Sequence, residues 1–181
     1  MAPEERLEWL TSVLGPLDVA DAGGGFLIGV STDVPAAVSV GFSDVDSGLI
    51  VDGPDADSEH PTDVRCEIIC AASGASPEQR AIAVARAWHA LVDTNTPAQP
   101  ETFLPGLVDD PALAIHHGLL REPQIFDRGT PMVTEPGRMT LLLELVLLTD
   151  GEYSIAAEQG LDVLERRLRR RSTDLGDWNR D

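Results

Sequence analysis

The chain has 181 residues, a length that suits one domain burying roughly two thirds of the surface its unfolded form exposes, so neither a metal nor a disulfide is needed to hold it together. Thirty-one acidic residues stand against thirteen basic ones, every one of them arginine, and the formal net charge is -18. A field of that sign repels nucleic acid and anionic membrane surfaces and speeds encounter with a basic protein, so the expected partner is a protein, with no nucleic acid and no membrane.

Residues 3–15 begin as a helix: Pro3 suits the first turn, Glu4 and Glu5 favour its positive end, and Leu7, Leu10 and Leu14 recur at helical spacing until Gly15 and Pro16 stop it. The run Gly23, Gly24, Gly25 precedes an apolar strand at 26–30. That order is wrong for a phosphate cradle, whose glycines follow a strand, and the run reads as a turn. A second strand is expected at 36–42, with Val38, Val40 and Phe42 on a core face and Ser39, Gly41 and Ser43 on the other.

Residues 44–63 are rich in Asp, Gly, Ser and Pro and read as a mobile acidic loop around a short extension at 49–51. Asp52, Asp55, Asp57 and Glu59 in this loop lack the spacing of a calcium-binding EF-hand and read as solvated carboxylates, exposed enough to steer a partner. The strand at 64–70 alternates: Val64, Cys66, Ile68 and Cys70 face the core, and Arg65 and Glu67 share the opposite face. Cys66 and Cys70 are then about 13 Å apart at about 3.3 Å per residue, too far to bridge.

Ser76, Pro77 and Gln79 open a helix with an N-cap, a first-turn proline and a capping-box glutamine, and Ala81, Val84, Ala85, Trp88 and Leu91 form its buried stripe to residue 92. Residues 93–111 are Pro-rich surface connections, followed by an apolar segment at 112–120 and a further loop. The most apolar stretch, 138–148, reads as a central strand. Met139, Leu141, Leu143, Leu145 and Leu147 make a dry face, while Thr140 and Glu144 make the other face mixed. Thr149 and Glu152 form a capping box for a last helix, interrupted near Gly160 and ending in Arg166, Arg167, Arg169, Arg170 and Arg171, before a tail at 172–181. Cations at a helix C-terminus stabilise it by about 0.3 to 1 kcal/mol each, which accounts for most of that cluster.

No chemistry assembles around a nucleophile. The stretch Gly41-Phe42-Ser43-Asp44-Val45 has valine where a nucleophile elbow needs its second glycine. His116 and His117 are adjacent, so on a regular strand they point to opposite faces and share no metal. The expectation is a protein that is not an enzyme and needs no cofactor or metal; a hydrolase using Ser43, His116 or His117 is the remote alternative. The chain lacks a charged start followed by an apolar signal core, and Glu144 interrupts its longest apolar run well short of a membrane span, which together imply a cytoplasmic location.

If the three alternating strands are neighbours, Ser39, Gly41, Ser43, Arg65, Glu67, Thr140 and Glu144 share one polar face. Arg65 is expected within reach of Glu67 or Glu144, because an unpaired buried charge is too costly. That face is either a buried network or a groove for a small molecule or peptide.

Val40-Gly41-Phe42-Ser43-Asp44, followed by Arg65-Cys66-Glu67-Ile68-Ile69, resembles the paired signature of suppressor-of-fused-like domains. Leu145-Val146-Leu147-Leu148-Thr149, then Glu152, Tyr153 and Gly160-Leu161, is similar to that family's strand, helix start and turn, with Gln159 in place of the usual histidine. The resemblance implies a single α/β domain over 1–181, a mixed sheet flanked by helices, that binds a protein without catalysis. Bacterial stand-alone members look like immunity proteins that neutralise polymorphic toxins by contact, and this implies the same for the chain. Taken as a contact surface, the polar face and the acid that follows it supply the candidate binding residues: Ser39, Gly41, Ser43, Asp44, Arg65, Glu67 and Glu144.

Overall fold

The computed structural model describes residues 1–52 and 61–180. The architecture is mixed α/β. Helix α1 (Pro3–Leu14) is followed by strands β1 (Leu17–Asp21), β2 (Leu27–Ser31), β3 (Ala36–Val40), β4 (Ile50–Val51) and β5 (Thr62–Ala71), and then by helix α2 (Pro77–Asp93). Strands β6 (Phe103–Leu104), β7 (Ile115–Arg121), β8 (Met132–Glu135) and β9 (Arg138–Thr149) lead to helices α3 (Asp150–Gln159) and α4 (Leu161–Arg171).

Among the described residues, nine strands form one sheet in the order β1-β2-β3-β5-β9-β7-β6, with β4 paired to β5 and β8 to β9. Its centre is the parallel pair β5 and β9; every other pairing is antiparallel. Each central strand carries two outer partners along one edge. On β5, β3 pairs with residues 69–71 and β4 with residues 62–63. On β9, β8 pairs with residues 138–141 and β7 with residues 144–149.

Both sheet faces are covered, as the buried-network expectation requires, but the face expected to be polar also carries a large apolar share. Beneath α2 lie Cys66, Ile68, Cys70, Leu143, Leu145 and Leu147, together with Trp88 and Leu91 of the helix itself. On the other face, Leu10 and Leu14 of α1 pack over Val38, Val40, Ile69 and Leu142, and Ala156 and Leu164 of the last two helices pack over Leu119, Val146 and Leu148. Val38 and Val40 therefore lie opposite Cys66, not beside it. Phe42 joins the α2 side because the chain turns at Gly41, whose φ of 121° suits glycine.

Several local expectations hold. The capping boxes Ser76/Gln79 and Thr149/Glu152 both form, and Gly160 separates α3 from α4. Cys66 and Cys70 are free and buried, and burial pushes both thiols up, Cys70 to about 12. The 93–111 segment is less superficial than expected, since Ala98, Leu104, Leu107 and Val108 close the α2-side core. The 172–180 segment is no loose tail either: it crosses the end of the sheet to seat Trp178, 3% exposed, in that same core. Gly74 donates its N–H to Gly176, and Arg180 bonds the Leu147 carbonyl and Glu152.

Candidate functional site

The two buried carboxylates of the central strands sit at equivalent places. Each lies where an outer strand leaves its partner, so the backbone N–H groups of the departing loop lose their ladder acceptors and need another. Glu67, with no exposed surface, fills that role on β5. It accepts the N–H of Gly41 at 3.1 Å, of Phe42 at 3.0 Å and of Ser43 at 3.2 Å, and the hydroxyls of Ser39 at 2.5 Å and Ser43 at 2.7 Å. Ser39 completes the join by accepting the N–H of Ile68 at 2.8 Å.

Arg6 of α1 lies over this carboxylate, 3.4 Å from it, and reaches on to Asp44 at 2.6 Å. Burial pushes the Glu67 carboxyl up, while the hydrogen bonds from Ser39 and Ser43 and the charge of Arg6 pull it back. Those neighbours all donate toward the carboxylate, the arrangement an ionised acid needs.

On β9, Glu144 accepts Arg121 Nε at 2.9 Å and the N–H of Gln124 at 3.1 Å, where the chain departs from β7. The sheet register sets Glu67 beside Leu142 and Glu144 beside Ile69, so the two acids share the face that α1 covers in part.

Arg65 does not join either acid. It pairs with Asp63 at 3.0 Å and Asp46 at 3.2 Å and donates to the Val45 carbonyl at 2.7 Å. The expected Arg65 bridge to Glu67 or Glu144 is thus replaced by Arg6 and Arg121. Asp63 was visible as a partner, two residues away on the same strand face; Arg6 had no local signal, because only the docking of α1 brings it near. Of the expected polar face, Ser39, Gly41, Ser43 and Glu67 converge, Asp44 joins through Arg6, and Arg65 and Glu144 stand apart from them. The Gly-Phe-Ser-Asp and Arg-Cys-Glu stretches therefore meet as one buried join.

The histidines also differ from expectation. A bulge in β7 between Ile115 and His117 shifts the register, and both rings reach one oxygen of Asp150, at 3.0 Å from His116 and 3.1 Å from His117. The Gly106 N–H donates to His117 Nδ1, so the other ring nitrogen carries the proton toward Asp150. His117 stacks on Tyr153 with centroids 4.1 Å apart. Hydrogen bonding to Asp150 holds His116 above the usual imidazole range, and the two histidines hold Asp150 below the usual carboxylate range. Ser43 is committed to Glu67 and is no part of this cluster.

Two surface features remain. Asp44, Asp46, Asp52 and Asp63 put carboxylates at the β4 end of the sheet, Asp46 and Asp44 being 78% and 62% exposed at their side chains. Asp55, Asp57 and Glu59 lie outside the described residues. Between α4 and the sheet runs a groove of about 980 Å³, with Ala71, Glu144 and Val146 on its floor and Arg121, Ile125 and Leu168 on its walls. The α4 arginines make mostly local contacts, Arg169 with Glu165, Arg167 with Gln159 and Arg166 with the Asp162 carbonyl. Among the described residues no helix is long and apolar enough to cross a membrane.

No protein-family model matches the sequence, and no curated protein matches it. Among solved structures the chain is similar to the Sufu–Fu complex crystal structure, with a TM-score of 0.59 at 13% identity over 97% of this chain and 87% of that one. It is also similar to the crystal structure of Drosophila Suppressor of Fused, at 14% identity and a TM-score of 0.49 over 96% of this chain and 43% of that one. The first likeness shows a suppressor-of-fused-like fold.

Proposed function

We propose that the chain is a non-catalytic protein-binding module, an immunity protein of bacterial type that works in the cytoplasm and neutralises a toxin by covering its basic substrate-binding surface. The observation that carries this reading is the charge: -18 over 181 residues, with exposed carboxylates gathered at the β4 end beside the buried join. A basic surface is drawn to such a field, and rim charges speed association more than they hold the complex. The fold supports it as well, since its structural neighbour was solved in complex with a protein, Fu. The Glu67 join then acts as a scaffold that fixes the 41–46 turn and its acids, in place of being the contact itself.

The test is the product of the adjacent reading frame. Co-expression should rescue growth from that product's toxicity, and the two purified proteins should bind with an association rate that falls steeply with salt. Absence of rescue together with absence of binding overturns the reading. The groove between α4 and the sheet favours a second reading, a peptide binder that uses Glu144 and Arg121 on the polar face.

A further inference from the structure

We infer that the outer edge of β1 is a docking strand for a basic extended segment of the partner. The inference rests on the basic-partner reading above and names its surface.

Among the described residues, β1 ends the sheet and pairs only with β2. The N–H of Ala22 donates to Phe26, and the N–H of Thr32 donates to Pro16, so even-numbered residues turn their backbone groups toward β2. Leu17, Val19 and Asp21 consequently turn theirs to the outer side, a row of donors and acceptors that a further strand can pair with. Natural edges are blunted by brevity, proline, bulges, lysine or a covering element. The opposite end of the sheet shows the first two, because β6 has two residues and runs straight into Pro105. β1 has five residues, no proline and an unbroken register, and all of it beyond Leu17 is exposed.

The side chains decide what can pair there. Leu17, Val19 and Asp21 share a face with Leu27 of β2, and Val19 and Leu27 are 39% and 38% exposed, an apolar foothold beside a carboxylate. Asp18 is on the opposite face. A second copy paired antiparallel about Val19 would set the two Asp18 carboxylates diagonally across from each other between chains of net charge -18 each, so self-pairing is opposed. A strand with an apolar residue opposite Val19 and arginine or lysine opposite Asp18 and Asp21 meets complementary groups at every position.

The probe is an acetylated, amidated nine-residue peptide, Thr-Thr-Arg-Thr-Val-Arg-Val-Thr-Thr, which on antiparallel pairing sets arginine opposite Asp21 and Asp18 and valine opposite Val19, with the same peptide carrying glutamate for both arginines as control, titrated into the ¹⁵N-labelled full chain. The arginine peptide should shift the amides of residues 17–21 and Leu27 and slow hydrogen exchange at Val19, and the control should not bind. Val19→Pro removes an outward N–H without touching the β2 ladder and should weaken binding at least tenfold. The double variant Asp18→Arg/Asp21→Arg should reverse the preference between the two peptides, and because Asp21 also accepts the Gly23 N–H, an unchanged thermal melt is its folding control. Binding that shifts only other resonances, or that survives both variants, overturns the β1 assignment and leaves the basic-partner reading standing. No binding by the arginine peptide also overturns β1, whereas the functional reading fails only with the growth rescue.

Discussion

Replacing Glu67 with alanine strips the acceptor that the N–H groups of Gly41, Phe42 and Ser43 share. The N–H groups of Phe42 and Ser43 are buried there, and each orphaned donor costs about 1 to 3 kcal/mol. Arg6, with a side chain 5% exposed, would lose one of its two acids and keep Asp44. Because Asp44 remains, the full penalty of about 3 to 5 kcal/mol for breaking a buried pair is an upper bound for the arginine's share. About 4 kcal/mol in all is expected, or about 8 to 16 °C in Tm for a chain of this size, at about 2 to 4 °C per kcal/mol. Urea unfolding followed by circular dichroism measures it directly. Arg65→Ala is the internal control: its acids Asp46 and Asp63 are 78% and 46% exposed and rehydrate when it is removed. That loss should stay near about 1 kcal/mol. An equal loss in the two variants, or a Glu67→Ala cost below about 1 kcal/mol, would refute the account of the join.

Trp178→Ala empties a core position and should cost about 3 to 5 kcal/mol in a thermal or urea melt. Gly74→Ala attacks the same seat from the other side, since its Cβ would stand 2.9 Å from the Trp178 backbone nitrogen, and should lower Tm where a loose tail would leave it unchanged. For His116, whose pKa is raised in the fold, the pairing with Asp150 contributes stability that is fully present below the unfolded imidazole pKa and is lost as pH rises through the folded value. NMR titration should place His116 above 6.5, and His116→Gln should flatten the stability profile on the alkaline side of that value. If the acidic loop steers a toxin, neutralising Asp52, Asp55, Asp57 and Glu59 should slow association more than it speeds dissociation in surface plasmon resonance; an unchanged association rate would leave these acids a solubility role.

Much of the scaffold was legible because its signals are local. The Ser76 and Thr149 capping boxes, the alternation along 64–70 and the apolar run ending at Thr149 each lie within a dozen residues of sequence. β1 and β8 escaped notice since outer strands with exposed faces show no strong alternation. The histidines misled for a different reason: alternation assumes a regular ladder, and a bulge shifts the pattern by one residue. Glu67 was identifiable as a polar-face acid, yet its partner Arg6 comes from a helix sixty-one positions earlier (67 − 6 = 61), and nothing near either residue announces the meeting.

The seating of Trp178 has a kinetic side. Asn179 bonds the Gly74 carbonyl across 105 positions of chain, so seating the strap on the α2-side core closes a long loop. Contacts so remote in sequence slow folding, because the loop entropy is lost before the contact forms. Until the strap arrives, the notch around Ala72 and Ala75 stands open at the end of an otherwise assembled sheet. Refolding of the parent should therefore show a late phase, seen as slow burial of Trp178, that Trp178→Ala removes.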